Sequence, residues 1–301
     1  MRLNDGAIRR GSGRIAVHRA LVRRAAVRRA GALVASAGLA LGLVTVTGGG
    51  LADAGAASPA SSTIAARSSH GLAAGASGTS AKPLAGKIIG IDPGHNGLNY
   101  TDPAYLNHKV WNGREWEDCD TTGTETASGY TEARFNWNVA RYLRAILIKD
   151  GAKVVLTRHN NHGIGPCVTR RARILDRAHA NVSIDIHADW AASSGRGFTV
   201  LEPVADGPND KVIKSSLRFG RYVHAAMKNR TKMPVSDYYG HNGYIRRDDL
   251  AGLNLTTMPK VLIECGNMNN AQDAALLVRP SVQRSIARAL AAAIVGFLTG
   301  R

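Results

Sequence analysis

Four residues of this 301-residue chain have types and positions that could do chemistry together: His95, Glu132, His187 and Glu264. Three short apolar runs each lead into one of them. Lys87 to Ile91 runs into Asp92-Pro93-Gly94-His95, Val182 to Ile186 delivers His187, and Lys260 to Ile263 delivers Glu264. Glu132 falls in the first turn of a long helical segment. Two imidazoles and one carboxylate with an open fourth position form the ligand set of a catalytic zinc, which lowers the pKa of its bound water to about 7. Hydrolysis then needs a second carboxylate to take the water's proton and pass it to the leaving nitrogen. Glu132 and Glu264 are the candidates for ligand and base, and spacing alone does not assign them.

The elements that must position these groups alternate along the chain. Beside the three strands, Lys153 to Leu156 and Gly197 to Leu201 read as strands. Thr131 to Asp150 has helical spacing through Phe135, Val139, Tyr142, Leu143 and Ile146 and stops at Gly151. Thr169 to Ala180, Asn209 to Asn229 and Ser281 to Leu298 are further helices. Strands separated by helices imply an α/β sheet with helices on both faces, whose site lies beyond the carboxyl ends of the strands.

The motifs IDPGHNG (Ile91 to Gly97), GYTEARFNWNVA (Gly129 to Ala140), VVLTR (Val154 to Arg158), a relaxed R-x-x-x-A-N run from Arg173 to Asn181, SIDIHAD (Ser183 to Asp189) and PKVLIECGNMNN (Pro259 to Asn270) occur in this order. Together they resemble the zinc-dependent N-acetylmuramoyl-L-alanine amidases of the amidase type 3 family, over most of residues 86–301. The resemblance implies that His95, Glu132 and His187 hold Zn2+ and that Glu264 is the catalytic base. It also implies a single α/β domain with a mixed, about six-stranded sheet flanked by helices, of the phosphorylase/hydrolase-like type. The substrate it implies is peptidoglycan or a muropeptide, cut between N-acetylmuramic acid and L-alanine. Asn96, Asp185 and Asn267 depart from the usual family pattern. Asp185, two positions before His187, should share its sheet face, where it could orient a ligand from behind or simply be a polar residue of a variant strand.

The remaining segments set the context. Nine arginines lie within residues 1–29, followed by the uncharged run Ala30 to Thr47 and by Ala52-Asp53-Ala54. That is the order of a secretory signal, and at about 18 residues the run could also stay as an anchor. Residues 1–54 are therefore expected to be a signal peptide or N-terminal anchor, 55–85 a flexible Ala/Gly/Ser linker, and 86–301 the catalytic domain. The protein is expected outside the cytoplasm, secreted, periplasmic or wall-associated, as a monomer that meets a membrane only through an uncleaved N-terminus. A net charge of +17 favours an anionic partner. Export, 5% aromatic content and the lack of a recognisable nucleic-acid-binding fold argue against DNA or RNA. In an exported chain, the loop residues Cys119 and Cys167 are expected to form a disulfide and Cys265 to stay reduced. The segment Leu98 to Ser128, rich in Trp, Asn and acids, is expected to form a hairpin beside the cleft. Most arginines of the Arg158 and Arg170, Arg171, Arg173, Arg177 group are expected on a solvated helix face, with one able to pair within the core. Two other functions share these residues: a zinc peptidase acting within the stem peptide, and a non-catalytic peptidoglycan-binding protein.

Overall fold

The computed structural model describes residues 82–300; the N-terminal signal or anchor and nearly all of the expected linker lie outside them. In chain order the regular elements are β1 (Ile88–Pro93), α1 (Pro103–Asn107), β2 (Lys109–Trp111), β3 (Trp116–Asp118), α2 (Glu132–Lys149), β4 (Lys153–Leu156), α3 (Val168–Arg177), β5 (Val182–Asp189), β6 (Thr199–Pro203), α4 (Ile213–Arg230), β7 (Tyr244–Arg247), α5 (Ala251–Asn254), β8 (Lys260–Asn267), α6 (Ala271–Leu277) and α7 (Pro280–Thr299). Leu84 is fully buried, and its N–H bonds the Asp150 carbonyl at 2.9 Å. Packing therefore begins ahead of Gly86, where composition alone put the domain boundary.

Six strands form one mixed sheet in the order β4-β1-β5-β8-β6-β7. The pairs β1–β4, β1–β5 and β5–β8 are parallel, β6 runs antiparallel to β8, and β7 parallels β6. This is the single α/β domain expected from the alternation of elements. Period-two alternation divides its central strands. Ile89 and Ile91, Ile184, Ile186 and Ala188, and Val261, Ile263 and Cys265 join the large core with Phe135 and Leu143 of α2, Phe219 of α4 and Ile294 of α7. On the opposite face Leu175 of α3 and Leu253 of α5 cover smaller apolar clusters. The same face carries the polar strand residues Asp92, Asp185, His187, Lys260 and Glu264. Polar chemistry is thereby gathered on one side and at one end of the sheet.

Helix ends follow from local chemistry. The Thr131 hydroxyl caps α2 by accepting the Arg134 N–H, and Asp150 and Gly151 end it, the glycine at φ +96°. The caps fix Glu132 at the first turn. Four elements were not read from sequence: β7, α1, and the short helices α5 and α6. The segment after β1 does form a hairpin, β2 with β3, in which Trp111 faces Trp116. Cys119, just past it, is disulfide-bonded to Cys167 at the start of α3, and Cys265 is a buried free thiol.

Candidate active site and metal centre

Three donor groups converge beyond the carboxyl ends of β1 and β5. His95 Nε2 lies 3.1 Å from Glu132 Oε2, and His187 Nδ1 lies 2.8 Å from Glu132 Oε1. The two rings meet edge to face, centroids 4.9 Å apart. One ligand atom from each of the three residues falls within 4.8 Å of the others.

Each is held by the fold. His95 sits at φ +57°, an unusual conformation for a residue other than glycine, on the turn that leaves β1. Arg158, buried, pins this turn to α2: it donates to the carbonyls of Pro93, Gly94 and Ala133. Glu132 receives three further donors, the N–H groups of Thr124 (3.1 Å) and Ala188 (3.2 Å) and the Asn136 amide (3.3 Å). Glu264 is the direct register partner of His187 on the neighbouring strand, and β5 shifts register immediately after that pair. Such irregularities re-aim side chains.

Electrostatics separate the two glutamates. Burial opposes ionisation of Glu132, but His95 and His187 hold its carboxyl well below the usual range. Burial likewise works against a charged His95, yet Glu132 and Asp120 lift its imidazole to about 10. Burial raises Glu264 well above an ordinary carboxyl, and the negative charges of Asp189 and Glu132 add to the effect. Its Oε2 is buried with no hydrogen-bond partner. The donor set suits a small divalent cation with nitrogen and oxygen ligands: two imidazole nitrogens and a carboxylate oxygen converge, with an unpartnered carboxylate alongside. The structure itself holds no ion.

Two cavities border the centre. An open cleft of about 320 Å³ is lined by His95, Glu132, His187, Glu264, Trp190 and Arg247. A more enclosed cavity of about 170 Å³ lies towards the hairpin, against Glu117, Asp120, Asp185, Leu250 and Gly252. The loop histidines His162 and His241 line neither.

The structure brings His95, Glu132, His187 and Glu264 together and places Asp185 differently. Asp185 reaches no histidine. Its Oδ1 pairs with the buried Lys260 Nζ at 2.8 Å, because Lys260, Asp92 and Asp185 share the polar face of three adjacent strands. Besides Glu132, the carboxylate that contacts an imidazole is Asp120, 3.3 Å from His95 Nδ1. Its only sequence signal was adjacency to the half-cystine Cys119. The core-paired arginine is Arg171, bridging Asp92 (2.9 Å) and Asp120 (3.1 Å). His108, Cys119 and Cys167 also cluster, but both sulfurs are consumed by the disulfide.

Comparison with known proteins points the same way. A family model described as N-acetylmuramoyl-L-alanine amidase matches residues 89–295. The N-acetylmuramoyl-L-alanine amidase Rv3717 of Mycobacterium tuberculosis is 37% identical over 231 residues, covering 74% of this chain and 91% of that protein. Among solved structures, the N-acetylmuramyl-L-alanine amidase Ami1 of Mycobacterium smegmatis superposes with a TM-score of 0.68 at 35% identity, over 72% of this chain and 99% of that one. The apo form of Ami1 from Mycobacterium abscessus gives 0.67 at 36%, over 71% and 100%.

Proposed function

The chain belongs to the N-acetylmuramoyl-L-alanine amidase family, and from that premise we propose that it is a zinc hydrolase in which His95, Glu132 and His187 hold the ion and Glu264 moves the proton. Peptidoglycan amidase activity follows from the family. The metal and the division of roles are our reading. The observation that supports it is the convergence of the three donors beside a buried carboxylate oxygen that has no partner.

A bound zinc would polarise the lactyl carbonyl and make hydroxide available near neutral pH. Glu132 faces both imidazoles through its two oxygens, and the N–H groups of Thr124 and Ala188 and the Asn136 amide hold the carboxylate itself. Glu264 Oε2 takes the proton of the attacking water and returns it to the nitrogen of L-alanine as the bond breaks. Burial and the negative charges of Asp189 and Glu132 make it a strong proton acceptor, and positive charge held by the neighbouring donors would favour its carboxylate form. Arg158 and the Thr131 cap act earlier, by fixing the turn of His95 against the first turn of α2.

We further place residues 86–301 as the catalytic domain of an exported, wall-acting protein, with residues 1–54 as export signal or anchor. The basic surface favours association with an anionic wall. The test is mass spectrometry of products from purified muropeptides, with and without chelator, and with Glu264→Gln. The expected product is a free stem peptide beginning at L-alanine, lost on chelation and in the variant. Cleavage inside the stem would make the protein a peptidase, and zinc binding without cleavage would make it a binding protein.

A further inference from the structure

The proposed reaction leaves unused a set of buried charges behind His95. While Nε2 of that ring faces Glu132, Nδ1 faces the opposite way, 3.3 Å from Asp120 Oδ1 and 3.1 Å from the Thr121 carbonyl oxygen. Both neighbours are acceptors. A neutral imidazole carries one N–H; with a cation held between His95 and Glu132 the Nε2 lone pair would face that cation, and the N–H then falls on Nδ1, where both neighbours accept.

Asp120 is itself fixed. Its Oδ2 accepts from Arg171 Nη2 at 3.1 Å, and the same nitrogen donates to the His95 carbonyl at 2.9 Å. Asp120 and Arg171 are both nearly inaccessible to solvent. Arg171 lies on the first turns of α3, whose N-cap is Cys167. Cys119, the residue before Asp120, is bonded covalently to Cys167, and its carbonyl accepts the Val168 N–H at 2.8 Å. One covalent bond and one backbone hydrogen bond thus clamp the Asp120 segment to the helix that carries its cation.

The geometry points to Asp120 as the positioning residue that sets the tautomer and orientation of His95 for metal binding, with the Cys119–Cys167 bond holding Asp120 in register. Metal affinity then depends on the oxidised state of a disulfide that contributes no ligand. The inference rests on the metal-centre reading above. Carboxylates behind ligand histidines typically change metal affinity by about 10–100-fold when removed.

The experiment measures zinc affinity of the apoprotein by competition with a chromophoric chelator, together with the visible spectrum of the cobalt form. Asp120→Ala is expected to weaken zinc about 10–100-fold and to alter the cobalt spectrum. Asp120→Asn, which keeps one acceptor oxygen, should fall between Asp120→Ala and the parent. Asp92→Asn removes a different partner of Arg171 without touching His95, and should leave affinity within about threefold of the parent, well inside the range seen for lost ligand support. The doubly substituted Cys119→Ala/Cys167→Ala protein should weaken zinc in the same direction as Asp120→Ala. Parent-like affinity in Asp120→Ala overturns the inference. So does an equal loss in Asp92→Asn, which would make the cluster merely structural, while parent-like affinity without the disulfide overturns its part. Should Asp120→Ala fail to fold, the contrast of Asp120→Asn with Asp92→Asn decides the same question. If the parent protein binds no zinc, the metal-centre reading fails instead.

Discussion

Gly94→Ala is the cleanest single perturbation of the candidate centre. A methyl group at Gly94 would stand 2.1 Å from His187 Cε1, 2.2 Å from Nε2 and 2.6 Å from Nδ1. The backbone there cannot retreat: the Gly94 N–H bonds the Ile186 carbonyl, and its own carbonyl accepts from Asn136 and Arg158. Gly94 does not occupy the left-handed region, so alanine brings no backbone strain of its own. The ring must therefore move by about 1.3 Å to regain ordinary contact, outward into the open cleft, whereas metal–ligand distances tolerate about 0.2 Å. Displacing a ligand should cost at least the upper end of the effect of losing a ligand's support, about 100-fold in zinc affinity. At saturating zinc that removes about 2.7 kcal/mol of metal-linked stability. For a domain of roughly 200 residues it lowers the zinc-induced rise in Tm by about 5–11 °C. The metal-free protein carries its own overpacking cost, typically about 1–3 kcal/mol, so the zinc-dependent difference in Tm is the quantity that isolates the ligand. Calorimetry of the parent and variant with and without zinc reads both quantities. A variant with the parent's full zinc-dependent rise in Tm would refute the placement of His187 at the metal.

Three further outcomes are expected. Loss of the disulfide in Cys119→Ala/Cys167→Ala, which opens a loop of 48 residues, should lower stability in urea by about 4 kcal/mol in the chain-entropy treatment; a loss below about 1 kcal/mol would contradict that account. Asp185 is held up to about 8 by burial, with Asp92 adding to the shift and Lys260 opposing it. Its folded form therefore keeps a proton that the unfolded chain releases near pH 4, and this group costs stability progressively as pH rises from about 4 to 8. Asp185→Asn should accordingly gain on the parent between pH 5 and pH 8, by an amount on the order of a few kcal/mol in denaturant titrations, and a pH-independent difference would count against it. Trp190 is 53% exposed on the wall of the open cleft, an apolar indole face beside the reacting centre. Trp190→Ala should raise KM on wall polymer about fivefold, equivalent to about 1 kcal/mol of lost aromatic contact, with zinc affinity unchanged; an unaltered KM would remove Trp190 from the substrate path.

What the sequence showed and what it hid divide along a physical line. His187 was legible because SIDIHAD carries two signals at once: a β-branched run, and an alternation that sends Ile184 and Ile186 one way and Asp185 and His187 the other. His95 and Glu264 were legible for the same reason, as polar residues at the carboxyl ends of strands, and Glu132 because its helix has a recognisable start. The pairing of these groups was not legible from spacing, since nothing local says which carboxylate meets the imidazoles. It is decided by α2 packing across β1 and β5 with its first turn against Ala188. The supports were hidden more thoroughly. Lys260 reads as the charged flank of a strand, yet it is buried because its register places it beside Asp92 and Asp185 on two other strands. Arg171 reads as one of several cations on a solvated helix, yet α3 turns it towards Asp92 and Asp120. β7 was missed because Tyr244 to Arg247 is a four-residue edge strand with two arginines, stabilised by its pairing to β6 rather than by its own composition. A buried charge is tolerable only with its partner in place, so each of these residues carries its meaning jointly with others 50 to 170 positions away. The four clustered residues could be read one at a time, whereas the network around them exists only as pairs.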